Sequence, residues 1–171
     1  RSLTLMERSI GDKEEVVHIA SRSNDVLLRT GRCTIYSRLV EGRYPNWRQV
    51  IPQRDNSVAI DMTVGPFFNV IRQAAIVADT ETRGLDFEFG NGSLVLTAKT
   101  ANLGQSRVEL PIDYDGEVIK LKLDFRFVSD FLKVLDANTH FKLDVASSTQ
   151  PALMTTTDGY AYVVMPMALD A

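Results

Sequence analysis

One pattern constrains this chain more than any other: a helix-like stretch followed by three strand-like runs, occurring three times. Residues 2–10 space Leu3, Met6 and Ile10 along one helix face, and Gly11 supplies a stop. Strand-like runs follow at 16–20, 26–30 and 33–39, with Asn24-Asp25 and Gly31 at the turns. A second helix is predicted with Gly65 as its cap, Pro66 in its first turn, and a stripe of Phe67, Val70, Ile71, Ala74 and Val77. Runs at 85–89, 94–98 and 107–112 come next, and Asn91-Gly92 is a two-residue hairpin signal. A third helix begins near Asp124, a good N-cap, and buries Phe127, Val128, Phe131, Leu132 and Leu135. It precedes runs at 141–145, 152–156 and 160–165, with Asp158-Gly159 turning the last hairpin. The copies recur about every 60 residues. One-striped helices followed by alternating strands imply an α+β fold, with each helix packed on one face of an antiparallel sheet.

Composition narrows the function. The 171 residues suffice for one or two domains with a real core. A formal charge of -3 excludes binding to nucleic acid by overall basicity, while leaving room for a locally basic face. Cys33 is the one cysteine, so no intramolecular disulfide can form. With only His18 and His140 beside it, no metal site and no cofactor are expected. A reducing cytosol fits this usage. No apolar run approaches the roughly 20 residues of a membrane helix. Arg1-Ser2-Leu3 shows neither an initiator Met nor a signal-peptide pattern, so a piece of a longer chain is expected. Asp61, Asp79, Asp113 and Asp130 form no spaced motif, and neither a Gly-rich phosphate loop nor a Ser/His/Asp order appears. No catalytic residue is assigned, and an enzyme is not expected.

Two segments say more. Residues 41–52 read Glu-Gly-Arg-Tyr-Pro-Asn-Trp-Arg-Gln-Val-Ile-Pro, and residues 161–167 read Ala-Tyr-Val-Val-Met-Pro-Met. In combination and separation they resemble the bacterial DNA sliding clamps, the beta subunit of DNA polymerase III. The resemblance extends through 108–114 and the helix at 125–135, over essentially the whole chain. It implies the DNA clamp fold: three-domain subunits, each domain holding two helix-and-strands units, two subunits closing head to tail into a ring. On that plan residues 1–52 correspond to the second half of the middle domain, 53–57 to a linker and 58–171 to the C-terminal domain. The implied role is a non-catalytic, cytoplasmic processivity factor that encircles duplex DNA regardless of sequence. The implied partners, held through a short linear motif, are the polymerase III catalytic subunit, the clamp loader, other polymerases and repair proteins.

The same resemblance assigns three surfaces. Arg8, Asn69, Arg72, Gln73, Arg126 and Lys133 lie on the polar helix faces and would line the hole. A ring holds DNA by topology, so a loosely attractive lining suffices and tight phosphate contacts would hinder sliding. On charge alone, these are the solvated faces of amphipathic helices. Pro45, Val50, Val163, Val164, Met165, Pro166 and Met167 would form the groove for the partner peptide. Met adapts to varied ligands, which suits a groove serving many partners. As a plain pattern the last five also read as a final core strand, with Val163 and Met165 on one face and Val164 and Pro166 on the other. The family often has basic residues where Gln49 and Ala168 stand, so the groove here lacks charge at its rim. Ile76 and Val77, with the strand at 107–112, would meet the neighbouring subunit of a homodimer. A peptide-binding scaffold that never encircles DNA is the alternative.

Overall fold

The computed structural model describes residues 2–11, 16–52, 57–79, 81–101 and 103–169. The chain divides into two compact units, residues 1–46 and residues 47–171. Most of the expected linker, residues 53–56, lies outside the described residues.

The first unit holds helix α1 (Ser2–Ser9) and strands β1 (His18–Ser21), β2 (Asp25–Arg29) and β3 (Thr34–Arg38) in an antiparallel β1-β2-β3 sheet. Its buried apolar residues are Met6 and Leu28. The expected α1 stripe is therefore corrected: Met6 is buried, but Leu3 is 81% and Ile10 40% exposed. Every residue of β1 is exposed as well. The turn between β2 and β3 is held by Thr30, whose hydroxyl accepts the amides of Arg32 and Cys33, each at 3.2 Å.

The second unit begins with a short helical turn, α2 (Trp47–Val50). Strand β4 (Val58–Thr63) then runs directly into α3 (Val64–Ala74), which ends in a 3-10 turn at Ala75–Val77. Strands β5 (Gly84–Gly90), β6 (Ser93–Thr100) and β7 (Gly104–Pro111) form the meander. The plan then repeats: β8 (Ile119–Asp124), α4 (Phe125–Lys133), β9 (His140–Val145), β10 (Ala152–Thr156) and β11 (Ala161–Val164).

Strands β4 and β8 were not anticipated. Ile60 and Met62, like Leu121 and Leu123, alternate with polar residues as half-buried strands do. Both strands run directly into their helices, so the helix signals at Gly65-Pro66 and Asp124 stand without a separate turn to mark the strand before them. They also decide the topology. The sheets are ordered β7-β6-β5-β8 and β11-β10-β9-β4, so each meander is completed by the strand that leads into the other meander's helix. The exchange is antiparallel in both directions, with Thr63 opposite His140 and Asp124 opposite Gly84. The helix starts repeat it as well: the Val64 amide donates to the Thr139 carbonyl at 3.0 Å, and the Phe125 amide to the Arg83 carbonyl at 3.1 Å.

The helix starts differ in their caps. Asp124 caps α4 as expected, its carboxylate accepting the Arg126 amide at 2.9 Å. Gly65 is not the cap of α3 but its second residue, after Thr63 in extended backbone. Its amide reaches the Ala137 carbonyl at 2.7 Å, and a Cβ there would stand only 3.0 Å from that oxygen, so glycine permits the close approach.

The two helices pack against one another, α3 also against β6 and β7, and α4 against β8 and β11. Phe67 on α3 sits 6.4 Å from Phe87 on one sheet and 5.9 Å from Phe141 on the other, and Phe131 on α4 lies 5.2 Å from Phe141. This run of rings joins both sheets through both helices. The anticipated stripes hold at Phe67, Val70, Ile71, Ala74, Val128, Phe131 and Leu132, all buried. Phe127 is corrected: it is 50% exposed, because it lies roughly a quarter-turn round α4 from the centre of the buried stripe. Asn91 and Gly92 both take positive φ, 53° and 71°, as a two-residue hairpin between β5 and β6 requires.

Candidate functional site: a terminal strip and two helix faces

The strip at 163–167 starts as part of β11, where Val163 pairs with Leu153 and Val164 with Ala152. Val164 turns inward and is 3% exposed, which corrects its assignment to the groove: alternation in β11 commits that side chain to the core. Val163 is half-buried on the opposite face, Met165 is 62% exposed, and Pro166 and Met167 are half-buried. The strip then leaves its own sheet. The Met167 amide donates to the Lys122 carbonyl at 2.7 Å, forming a single antiparallel bridge to β8. Since β11 and β8 are edge strands of different sheets, residues 165–167 cross between the two edges.

Val50 is exposed at the end of α2, beside Trp47, whose ring carries the Arg48 guanidinium at 4.4 Å. Pro45 is exposed and belongs to the first unit. Leu153 stands beside Val163 without any sequence feature that marks it. It shares the Val163 face by cross-strand pairing and is 1% exposed.

The helix faces are less basic than their sequence suggests. Arg72 and Gln73 are exposed on α3, with the Arg72 guanidinium 5.8 Å from the Phe68 ring centre. On α4 each cation has its own acid. Arg126 Nη2 donates to Asp124 Oδ2 at 2.8 Å and its Nε to Oδ1 at 3.2 Å, while Lys133 meets Asp130 at 3.3 Å. Burial alone would raise the Asp124 carboxyl, but the hydrogen bonds and charge of Arg126 outweigh it and hold it below its ordinary range. Arg126 is raised in turn, chiefly by its bond to Asp124. Arg8 is exposed in the last turn of α1 in the first unit.

The third set of residues does come together. Ile76 is 76% exposed in the 3-10 turn after α3, Val77 is half-buried, and this turn packs beside β7. Ser106 on β7 donates to the Ala74 carbonyl at 2.8 Å, and Thr100 on β6 to the Val77 carbonyl at 3.2 Å. Ile76 is thereby fixed next to β7, an edge strand whose residues alternate between exposed and half-buried. Among the described residues no group of three or more His, Cys, Asp or Glu is gathered as a metal site needs.

Residues 48–168 match the family model for the DNA polymerase III beta subunit, C-terminal domain. The chain belongs to this family. The beta sliding clamp of Proteus mirabilis is 28% identical over 172 residues, covering 98% of this chain and 46% of its own length. That of Chlamydia trachomatis is 24% identical over 165 residues, 91% of this chain and 39% of the relative. A crystal structure of the DNA polymerase sliding clamp from Pseudomonas aeruginosa superposes with a TM-score of 0.86 at 23% identity, over 98% of this chain and 46% of that one. The fold is therefore the α+β clamp fold, and the chain spans less than half the length of these relatives. No helix among the described residues is long and apolar enough to cross a membrane.

Proposed function

We propose that this chain is the C-terminal part of a sliding clamp, a non-catalytic cytoplasmic ring of two subunits around duplex DNA that tethers polymerases, the clamp loader and repair proteins. Residues 1–52 would complete a middle domain and residues 58–171 form the last one. The observation that carries this reading is the pair of touching helices α3 and α4 on a core of the family's fold, with Arg72 and Lys133 on their exposed faces. Val50, Val163, Met165, Pro166 and Met167 would receive the partner peptide. Ile76, Val77 and the edge of β7 would meet the neighbouring subunit, since an unpaired edge beside an exposed isoleucine is what an intersubunit sheet needs. The complete subunit bearing this sequence should stay on closed circular DNA and leave when the circle is cut. Equal retention on circular and linear DNA would remove encirclement from the proposal.

A second reading has one observation in its favour. Arg126 and Lys133 are each engaged by an acid, so α4 adds little net positive charge to a lining. A peptide-binding scaffold without encirclement fits that balance. It predicts motif binding together with no topological retention.

A further inference from the structure

We infer that Leu169 is a positioning residue for the terminal strip, anchoring its far end so that Met165 and Pro166 are presented in one orientation; this rests on the reading of the strip as the partner groove. The near end is pinned already, because Val164 is buried in the core and paired to Ala152. Beyond Val164 the ladder stops. The far end holds to β8 through the one bridge from the Met167 amide to the Lys122 carbonyl. A lone backbone bond opens readily unless side-chain packing closes it.

Leu169 is 44% exposed, and its covered part lies against β8's sheet. It lines a depression of about 310 Å³ on the outer face of the β7-β6-β5-β8 sheet, with Asp86, Val95, Thr97, Arg107 and Lys120 around it. On that wall Lys120 pairs with Glu88 at 2.9 Å across β8 and β5. Val95, an apolar residue on this otherwise polar face, is 7% exposed, and Leu169 lines the same depression, which Phe87 and Leu121 also border. The strip thus spans two sheets with an apolar anchor at each end. A partner then meets a surface that is already ordered, and the entropy of ordering is not charged against its affinity.

The test uses the 171-residue chain with Leu169→Asp and Leu169→Met, and a short peptide carrying a Gln followed by spaced Leu and Phe residues. Amide exchange at Met167 reads the anchor, exchange at Phe87 and Leu96 reads the core, and titration reads affinity. In Leu169→Asp the Met167 amide should exchange about tenfold faster while Phe87 and Leu96 stay protected. Peptide affinity should fall about fivefold, and Leu169→Met should restore both readouts. Unchanged Met167 exchange in Leu169→Asp overturns the anchor, and faster exchange with unchanged affinity overturns the positioning role. A peptide that leaves residues 163–167 of the unaltered chain unperturbed overturns the groove reading itself, a failure distinct from either.

Discussion

Asp124 holds Arg126 with both carboxylate oxygens, Oδ2 accepting Nη2 at 2.8 Å and Oδ1 accepting Nε at 3.2 Å, while Oδ1 also caps α4 through the Arg126 amide at 2.9 Å. One buried acid therefore starts the helix and claims the cation that the helix would otherwise offer to a partner.

Asp124→Ala should cost about 1–2 kcal/mol of stability, the scale of a lost N-cap. The carboxyl pKa is lower in the folded chain than the ordinary 3.8, so the unfolded chain takes up the proton first. Its contribution is fully present above that ordinary value and is lost as pH falls through the folded one. Urea melts of the two proteins should differ at pH 7 and converge in acid. A gap that persists unchanged well below pH 3.8 would refute the linkage.

Arg72 should carry more of any duplex attraction than Arg126 or Lys133, each of which meets an acid. Binding of linear duplex to the chain should be weak and fall steeply with salt. Arg72→Glu should lower the slope of log K against log salt by about 1. Arg126→Glu should act mainly on stability, because it sets a like charge against Asp124. Sequence-specific tight binding would contradict the sliding role.

Met165 is exposed and central in the strip. Met165→Ala should weaken a motif peptide by about 1–2 kcal/mol in a fluorescence titration, as loss of an apolar anchor does. Val164→Ala should instead lower thermal stability, since that side chain is in the core. A peptide whose affinity ignores Met165 sits elsewhere.

Phe67 and Phe127 make a matched test of the core. Phe67 meets rings from both sheets, and Phe67→Ala should cost about 3–5 kcal/mol. Phe127→Ala, at a half-exposed site, should shift stability by no more than about 1 kcal/mol. Equal losses in denaturant melts would show the assigned packing to be wrong.

Much of the site was legible as chemistry and little of it as geometry. The Val-Val-Met-Pro-Met segment announces an apolar strip through composition and alternation, and Ile76 announces itself at the end of a helical stripe. That Arg126 is occupied was not legible, although Asp124 stands two residues away. A side chain two positions on can reach its cap only from a particular rotamer, and rotamers follow from packing. Leu153 and Leu169 carry no signal in the sequence, because their surroundings are set by what lies opposite them.

The sequence by itself determined the local units: helices whose apolar stripes recur with the helical period, meanders that alternate, and turns at Asn91-Gly92 and Asp158-Gly159 where positive φ is needed. These follow from interactions between residues close in the chain. Only the tertiary structure decided that β4 pairs with β9 and β8 with β5. The partners are far apart in sequence, and an alternating strand fits any edge with a matching apolar face. The Phe67, Phe141 and Phe131 contacts bind that choice to the helices, burying both apolar faces at once. The same packing sends Val164 inward and Val163 to the other face, because neighbouring residues of a strand point to opposite faces and the core can claim only one.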